Sequence, residues 1–389
     1  MKKTISILGS TGSIGLTTLK IIEKKRNQFN LNIFSANKNF KLIIKQIKKY
    51  KPKYFIVSDP KVFKLVKKKN KIKNCKILNN FNSLNLRDKS DVTISAIPGI
   101  DGLYPTIFFL KISKKILIAN KEAIVCGWDI IRKKAKENKT LIVPIDSEHF
   151  SLSKLIKKYK FSEIKNFFIT ASGGPFLNYK LKDFNKITPK KALKHPKWKM
   201  GKKISVDSST LMNKILEIIE AQKLFNIPEK KIDIIIHPNS LVHAVVELKN
   251  GLIDLIYHES TMIIPIANAI FEDKLIIDDF IKLKSPLIGK GLLFKKVDKK
   301  KFPLISLKKI ATKHPSTPII INASNELAVS YFLKNKIPFD GIARVVISVL
   351  NDRNFKKNAV IKPLKLTHIF KINNWAKKLT LSKIKKFYD

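Results

Sequence analysis

Residues 4–25 read TISILGSTGSIGLTTLKIIEKK, an apolar strand pattern that runs through a glycine-rich turn into an amphipathic helix pattern. In the turn, Gly9, Gly12 and Gly15 are spaced G-x-x-G-x-x-G, a relative of the fingerprint of dinucleotide-binding sites. Glycines at these positions let backbone amides approach a pyrophosphate at the start of the helix. The spacing alone is equally compatible with an ordinary glycine turn, so the rest of the chain has to decide.

The same alternation of strand and helix continues through the first half of the chain. Further short apolar segments, each followed by a helical pattern or a turn, are LNIFSAN (31–37), KYFIVSD (53–59), CKILNN (75–80), DVTISAI (91–97), KILIANK (115–121) and TLIVPIDS (140–147). Strands that alternate with helices are typical of a parallel sheet covered by helices on both faces. We therefore predict an α/β fold with a Rossmann-like dinucleotide-binding domain over residues 1–145.

The second half has a different pattern. Residues 146–275 combine a strong helix, SSTLMNKILEIIEAQKLF (208–225), with the strands IKNFFITAS (164–172), KIDIIIHP (231–238), LVHAVVEL (241–248) and LIDLIYHES (252–260). This mixture predicts a central α+β domain. Residues 276–303 lack clear periodicity and are interpreted as a linker or a covering segment. Residues 304–389 are predicted to form a C-terminal helical domain, with NASNELAVSYFLKNK (322–336) the clearest helix.

The composition is strongly basic, with a formal net charge of +49 over 389 residues. The basic residues are almost all lysine and are scattered along the chain, whereas a dedicated nucleic-acid reader uses arginine for bidentate contacts. We therefore expect no specific nucleic-acid partner. Two cysteines, the absence of a signal-peptide pattern and the absence of a long apolar run lead us to expect a cytoplasmic protein outside the membrane.

The segment after the second strand bears on the choice of dinucleotide. An NAD site usually places an acidic residue there, against the ribose. This chain has Asn37, Lys38 and Asn39 instead, which would accommodate a 2′-phosphate. The sequence therefore favours NADP over NAD.

The stretch LIVPIDSEH (141–149) places Asp146 and Glu148 two residues apart at the end of a strand. On a strand, side chains at i and i+2 point to the same face, so the two carboxylates would crowd together. We expect a positive charge between them.

A second group of polar residues lies on the helix predicted to begin near Asp207. Its first residues, Asp207, Ser208 and Ser209, are good helix caps. Further along, Asn213, Lys214 and Glu217 share one face, because they are three or four residues apart. An ordinary solvated helix face would look the same.

The setting argues against a merely solvated face. TASGGPF (170–176) is another strand followed by a turn, which would offer backbone amides and the Ser172 hydroxyl to an anion. Asp146, Glu148 and Glu217 together would be a set of hard oxygen ligands that suits Mg²⁺ or Mn²⁺ better than zinc.

One segment has the character of a lid. HPKWKMGKK (195–203) contains His195, Trp198 and Met200 between lysines and a glycine, and it could close over a site and exclude water. A surface loop with its tryptophan tucked into the core is the alternative. His237 and His243 are interpreted as structural, hydrogen-bonded histidines.

Taken together, these motifs resemble the 1-deoxy-D-xylulose 5-phosphate reductoisomerase family. The resemblance runs from residue 4 to about 350 and is carried, in order, by GSTGSIG, IANKEAIVCGW, PIDSEH, TASGGPF, HPKWKMGKKISVDSSTLMNK, IIHPNSLVH and NASNELAV. It implies conversion of 1-deoxy-D-xylulose 5-phosphate to 2-C-methyl-D-erythritol 4-phosphate in non-mevalonate isoprenoid synthesis. The implied cofactors are NADPH and a divalent metal, Mg²⁺, Mn²⁺ or Co²⁺, and the implied assembly is a homodimer.

The resemblance also implies roles for individual residues. The metal ligands would be Asp146, Glu148 and Glu217, which with Lys121 and His195 form the catalytic set. The sugar phosphate would be held by Lys121, Ser147, Glu148, Ser172, His195, Ser208, Asn213, Lys214 and Glu217. The cofactor would contact Thr11, Gly12, Ser13, Ile14, Asn37, Lys38, Asn39, Asn120, Glu122 and Gly201, and the flap would include Trp198 and Met200.

Several positions depart from the family pattern. Ile215 stands where glycine is usual, Leu177 and Ile263 where arginine is usual, and Phe150 where asparagine is usual. None of these changes removes an expected metal or phosphate ligand, so they bear on packing and turnover more than on the reaction.

Other functions remain open at this point. Another NADP-dependent oxidoreductase, acting on a sugar phosphate or a semialdehyde, would use the same fold without needing three carboxylates. A regulator that keeps the dinucleotide domain and has lost catalysis is a second alternative, but every expected ligand is present here.

Overall fold

A computed structural model describes residues 1–70, 74–194, 198, 201–283 and 291–389. The chain divides into two compact units. The first unit comprises residues 1–123, 129–150 and 262–284, and the second comprises residues 124–128, 151–261 and 285–389.

The strands of the structure match the sequence predictions in number and order. They are β1 (Lys3–Leu8), β2 (Phe29–Ala36), β3 (Tyr54–Val57), β4 (Lys76–Leu78), β5 (Ser90–Ser95), β6 (Ser113–Ile118), β7 (Leu141–Pro144), β8 (Ile164–Ala171), β9 (Ile232–Ile236), β10 (Val242–Leu248) and β11 (Ile253–Tyr257). Each predicted strand overlaps the corresponding observed strand, so the strand predictions are confirmed.

The helices connect these strands in the first unit and dominate the end of the chain. They are α1 (Ser13–Lys24), α2 (Phe40–Tyr50), α3 (Pro60–Lys69), α4 (Leu103–Phe109), α5 (Lys121–Glu137), α6 (Ser147–Lys158), α7 (Pro189–Ala192), α8 (Lys202–Ser209), α9 (Met212–Phe225), α10 (Ile263–Phe271), α11 (Thr317–Leu333), α12 (Phe339–Leu350), α13 (Phe355–Ala359) and α14 (Leu366–Tyr388). The predicted helical C-terminal region is confirmed. No described helix is both long enough and apolar enough to cross a membrane.

The first unit contains a parallel sheet in the order β4-β3-β2-β1-β5-β6-β7. The chain builds outward from β1 in one direction and then crosses to β5 on the other side of β1. Ligands of such sheets bind where the strand order reverses, outside the carboxyl ends of the strands. The predicted Rossmann-like architecture is therefore confirmed. By this rule, a ligand is expected at the carboxyl ends of β1 and β5.

The core of the first unit is aliphatic and aromatic. Ile5 and Ile7 of β1 are fully buried together with Ile94 of β5, and α10 contributes Ile266 and Ile270 to the same core. Burial raises the pKa of the Cys75 thiol in this core to about 12. That thiol therefore stays protonated at neutral pH, as expected for a structural cysteine.

The second unit contains a smaller sheet in the order β11-β10-β8-β9, in which only the β8/β9 pair is parallel. Helix α9 packs against β8 and β9 and against the C-terminal helix α11. It is buried on every side from Met212 to Ala221. Because a helix in this position has no solvent face, its polar residues must find partners inside the protein.

Candidate active site

The glycine turn after β1 has the shape that a dinucleotide site needs. Gly9 has φ +83°, and a Cβ atom there would lie 2.6 Å from the carbonyl oxygen of Ala96. A Cβ on Gly15 would lie 2.5 Å from the carbonyl oxygen of Gly9, so helix α1 approaches the turn more closely than a side chain permits. The unpaired amides expected at the start of α1 can therefore meet an anion.

The predicted cofactor residues of this turn lie at the start of α1. Gly12 precedes the helix and Ser13 is its first residue, and both are exposed. Thr11 and Ile14 are half-buried beside them. The amides of Gly9 and Ser10 donate to the carbonyl oxygen of Ser35, at distances of 3.1 and 2.8 Å, which ties the turn to the end of β2.

The segment after β2 carries the residues that favour NADP. Asn37 and Lys38 are exposed at the carboxyl end of the strand. Asn39 caps α2, because its side-chain oxygen accepts a hydrogen bond from the amide of Leu42 at 3.2 Å. Asn39 thus has a structural role in addition to the one predicted.

Residues 120–122 form the start of α5. Asn120 caps this helix by accepting from the amide of Ala123, and its side-chain nitrogen donates to the carbonyl oxygens of Ile97 and of Gly99, the latter at 2.9 Å. Lys121 and Glu122 follow in the first turn, and both are buried.

The carboxylates of PIDSEH lie at a helix start, which corrects the prediction that they share one face of a strand. Strand β7 ends at Pro144, and α6 begins at Ser147. One oxygen of Asp146 accepts from the amide of Glu148 at 3.3 Å, so Asp146 occupies a capping position. The predicted crowding of like charge is relieved, because the amides and the positive end of a helix dipole stabilise carboxylates there.

Two cations or potential cations surround Asp146. The ammonium nitrogen of Lys121 lies 3.4 Å from one carboxylate oxygen, and Nδ1 of His149 lies 3.8 Å from the other. The hydroxyl of Ser147 donates to the Glu148 carboxylate. The sequence reasoning gave no role to His149; its i,i+3 spacing from Asp146 points to this contact once the helix start is known.

In the second unit, the turn after β8 has two consecutive residues in the left-handed region, Gly173 at φ +82° and Gly174 at φ +66°. The amide of Gly174 donates to the Ser172 hydroxyl at 3.0 Å. A Cβ on Gly174 would lie 3.0 Å from the Cα of Ser209 and 3.1 Å from the carbonyl oxygen of Ser208. The turn therefore packs directly against the end of α8.

The helix predicted over residues 208–225 is two helices, and the prediction of a single helix starting near Asp207 is wrong. Helix α8 ends at Ser209, and α9 begins at Met212 after a kink at Leu211, which has φ +59°. Asp207 lies inside α8 and is no cap. Its carboxylate instead accepts from Lys203 at 2.8 Å and from Asn325 at 2.7 Å.

The polar face of α9 is buried, so the alternative of an ordinary solvated face is wrong. Glu217 is 1 % exposed, and Asn213 and Lys214 are buried beside it. The Lys214 ammonium lies 2.6 Å from one Glu217 oxygen, and the Asn213 amide donates to the other. Both oxygens of this buried carboxylate are therefore engaged, one by a cation and the other by an amide.

The flap is described only in part. His195 and Met200 lie outside the described residues. The Trp198 ring lies 6.3 Å from that of His243, nearly perpendicular to it, and His243 in turn stacks on His258 with a centroid distance of 3.8 Å. Gly201, an exposed residue, precedes α8.

The two histidines interpreted as structural both contact backbone carbonyls. His237 Nδ1 lies 3.0 Å from the carbonyl oxygen of Leu293. His243 Nε2 lies 3.2 Å from that of His258. These contacts agree with the structural interpretation of the pair.

Models of one enzyme family match three parts of the chain. The 1-deoxy-D-xylulose 5-phosphate reductoisomerase model matches residues 5–127, and models of the C-terminal domain of the same enzyme match residues 142–225 and 259–379.

Individual relatives agree with this match. The chain is 44% identical over 384 residues to 1-deoxy-D-xylulose 5-phosphate reductoisomerase of Pelagibacter ubique, covering 96% of this chain and 97% of the relative. It is 40% identical over 358 residues to the enzyme of the same name from Clostridium novyi, covering 90% and 92%.

Solved structures of the enzyme have the same fold as this chain. A crystal structure of DOX-P reductoisomerase in complex with NADPH, fosmidomycin and magnesium superimposes with a TM-score of 0.92 at 31% identity, covering 100% of both chains. The Zymomonas mobilis enzyme in complex with NADPH gives a TM-score of 0.88 at 30% identity, covering 99% of both chains.

Proposed function

The chain belongs to the 1-deoxy-D-xylulose 5-phosphate reductoisomerase family, and we propose that the residues described above carry the family's reaction in this protein. The enzyme rearranges and reduces 1-deoxy-D-xylulose 5-phosphate to 2-C-methyl-D-erythritol 4-phosphate, with NADPH and a divalent metal. The observation that carries this conclusion is the 44% identity to a reductoisomerase across 96% of the chain. An oxidoreductase of another specificity is not favoured.

We assign the metal to Asp146, Glu148 and Glu217. The donor chemistry fits Mg²⁺ or Mn²⁺, because all three residues offer hard carboxylate oxygens. When bound, the metal polarises the substrate carbonyl and stabilises the negative charge that develops during a carbon-skeleton rearrangement of the retro-aldol/aldol type.

The protein groups around the carboxylates orient them and supply positive charge. Lys214 and Asn213 fix both oxygens of Glu217, and Lys121 lies beside Asp146. We propose that Lys121 also contacts the substrate, with Ser147 and the flap residue His195. In this arrangement the lysines balance negative charge before the reaction begins, so little reorganisation is needed as it proceeds.

The phosphate of the substrate is assigned to Ser172, Ser208, Asn213 and Lys214. The packing of the Ser172 turn on the end of α8 supports this assignment, because it brings two hydroxyl-bearing segments together in one unit. Binding energy from the phosphate, which does not react, can hold the reacting carbons in place. A flap that includes Trp198 and Met200 would keep water away from the intermediates.

NADPH is assigned to the glycine turn and to the ends of the neighbouring strands. Thr11, Gly12, Ser13 and Ile14 would contact the pyrophosphate region. Asn37, Lys38 and Asn39 would contact the 2′-phosphate, for which the exposed Lys38 supplies positive charge. Asn120, Glu122 and Gly201 complete the proposed cofactor set.

We also propose that the enzyme is a cytoplasmic homodimer. Strand β11 is at the edge of its sheet, where β10 is its partner among the described strands, and the adjoining Leu252 and Ile253 are 64% and 65% exposed. Such an edge invites pairing with a second copy. Light scattering of the purified protein, and of the Ile253→Lys variant, tests this. A wild-type monomer would contradict the proposal.

The division into a cofactor domain at 1–145, a catalytic domain at 146–275, a linker at 276–303 and a helical domain at 304–389 stays a prediction. Limited proteolysis with mass mapping of the cleavage sites tests it. We expect the earliest cleavage within residues 276–303.

The activity is tested by following NADPH oxidation with 1-deoxy-D-xylulose 5-phosphate, with Mg²⁺, with Mn²⁺, and after chelation of all divalent metal. We expect consumption that requires both the substrate and the metal. The same assay with a semialdehyde substrate tests the alternative of an NADP-dependent oxidoreductase that acts on semialdehydes. Metal-independent consumption, or a preference for the semialdehyde, would contradict the proposal.

A further inference from the structure

Asp207 is a buried carboxylate for which the reaction gives no role. It is 1 % exposed, and both of its oxygens are engaged within the second unit. The Lys203 ammonium donates to Oδ2 at 2.8 Å, and the Asn325 amide donates to Oδ1 at 2.7 Å. Burying a charge is unfavourable unless it is paired and hydrogen-bonded, so this arrangement is a specific one.

The two partners of Asp207 come from different parts of the second unit. Lys203 is in the first turn of α8, two residues after Gly201, which precedes the helix. Asn325 is in α11, 118 residues away from Asp207, and is fully buried. Asp207, in the last turn of α8, is therefore bonded both to the first turn of its own helix and to a C-terminal helix that carries none of the proposed ligands.

The residues just beyond Asp207 are the ones that need a fixed position. Ser208 is its neighbour, and the chain then leaves the helix at Leu211 with a left-handed backbone before α9 starts. Leucine adopts this conformation at a cost, which the packing around its buried side chain has to offset. Hydrogen bonds of the Ser209 and Thr210 hydroxyls to the Val206 carbonyl oxygen, at 2.7 and 3.2 Å, close the end of α8 before this kink.

We propose that Asp207, clamped by Asn325 and Lys203, is a positioning residue for the phosphate of the substrate. By fixing where α8 ends, the clamp sets the place of Ser208 against the Ser172 turn and the direction in which α9 presents Asn213 and Lys214. Asp207 acts through these residues, because both of its own oxygens are already bonded. The inference rests on the proposed assignment of the phosphate to these residues.

The decisive comparison is Asn325→Leu against Asn373→Leu. Asn373 is a second buried asparagine of the C-terminal helices, on α14, and it donates to Asn374 instead of to Asp207. Both changes replace a buried amide by an apolar side chain of similar size. Only the first removes a hydrogen bond to a buried carboxylate.

We expect Asn325→Leu to raise KM for 1-deoxy-D-xylulose 5-phosphate about tenfold, the size of effect that loss of a hydrogen bond to a charged group produces. KM for NADPH should stay within about twofold of wild type, because the clamp does not touch the dinucleotide turn. Any fall in kcat should be smaller than the rise in KM for the substrate, because Glu217 is on α9 as well but is held by its own bonds to Asn213 and Lys214. In the absence of NADPH, the substrate should raise the thermal unfolding temperature of this variant less than that of wild type. Asn373→Leu should retain wild-type KM values.

A second variant keeps the test decisive if Asn325→Leu does not fold. Lys203→Met removes the other partner at a partly exposed position and should raise the same KM about threefold. Lys203→Arg, which keeps the positive charge, should have the wild-type KM for the substrate.

An unchanged KM for the substrate in both Asn325→Leu and Lys203→Met would overturn the inference. So would an equal rise of KM for NADPH, or the same pattern in Asn373→Leu, since each indicates general loosening of the fold. If wild type fails to turn over the substrate, the proposed function fails instead, and the two failures are distinguished by that measurement.

Discussion

The glycine turn after β1 and the kink between α8 and α9 both bend the chain through the left-handed region at a proposed ligand site, but they do so by different means. In the turn, Gly9 at φ +83° has no side chain, so the conformation is accessible without strain. In the kink, Leu211 at φ +59° carries a side chain that is 1 % exposed. The first bend is encoded by the residue that makes it, and the second is imposed by the packing around it.

This difference has consequences for the chemistry. A turn made of glycines presents backbone amides, which suits a cofactor bound through its phosphates. A kink held by a packed core presents side chains in fixed positions, which suits a site where Lys214 and Glu217 must keep a precise geometry. The comparison predicts that substitutions of the polar residues on the kinked helices will affect catalysis, whereas those at the turn will affect cofactor binding. Substitutions of the residues that make either bend will affect stability.

The largest effect is expected for Glu217→Gln. The change keeps the shape of the side chain and removes the charge that we assign to the metal, so turnover should fall by at least about 10³-fold, the equivalent of several kcal/mol of lost transition-state stabilisation. NADPH oxidation with saturating Mn²⁺ measures it. Glu229→Gln, a change in a partly exposed ion pair with Lys308, is the control and should be neutral. If the turnover of Glu217→Gln is within tenfold of that of wild type, Glu217 is not a metal ligand.

The next largest effect is expected for Gly15→Ala, with Gly12→Ala as its matched control. A Cβ on Gly15 would lie 2.5 Å from a backbone oxygen, whereas one on Gly12 would lie 3.4 Å from its nearest neighbour. Overpacking against backbone should lower the free energy of unfolding of Gly15→Ala by about 3 kcal/mol and leave Gly12→Ala nearly unchanged. Chemical denaturation measures both. Equal stability of the two variants would show that α1 can move away from the turn.

The same contrast explains which parts of the structure the sequence predicts. Local patterns predict the order of strands, the Rossmann-like sheet and the glycine turn. This works because the alternation of strand and helix and the positions of glycine can be recognised from residues that are close in sequence. The break at Leu211 has no such signal, since leucine favours an unbroken helix. The helix start at Ser147 was also missed. There the apolar run of β7 continues to Ile145, so the change from strand periodicity to helix periodicity falls within the motif PIDSEH.

Side-chain partners were the least predictable feature. The spacing of Asn213, Lys214 and Glu217 on one helical face is local, and the residues are indeed together. Whether that face is buried depends on β8, β9 and α11, which are distant in sequence. The bond from Asn325 to Asp207 spans 118 residues and could not be read from either segment.

A third prediction isolates the strain at the kink by comparing Leu211→Gly with Leu211→Ala. Both variants lose a buried side chain, so each should be less stable than wild type by about 2–5 kcal/mol. Glycine is ordinarily less favourable than alanine in a helix. At φ +59°, however, glycine is not strained, whereas the Cβ atom of alanine makes this conformation unfavourable. Leu211→Gly should therefore be more stable than Leu211→Ala by about 1 kcal/mol. The reverse order would indicate that the kink relaxes once the leucine side chain is removed.

The smallest effect is expected at a left-handed residue that neither binds a ligand nor packs in a core. Lys51 ends α2 at φ 47°, its side chain is exposed, and its amide donates to the carbonyl oxygen of Ile47 at 3.1 Å. Because glycine adopts this conformation without strain, Lys51→Gly should raise the free energy of unfolding by about 0.5–1 kcal/mol. Lys48→Gly, in the right-handed last turn of the same helix, should lower it by about 1 kcal/mol. If the two lysine-to-glycine changes, three residues apart, alter the free energy of unfolding with opposite signs, then backbone conformation determines the effect. The loss of the lysine side chain does not. Activity should be unchanged in both variants, because Lys51 is remote in sequence from the proposed ligand residues, whereas Leu211 lies between Ser208 and Asn213.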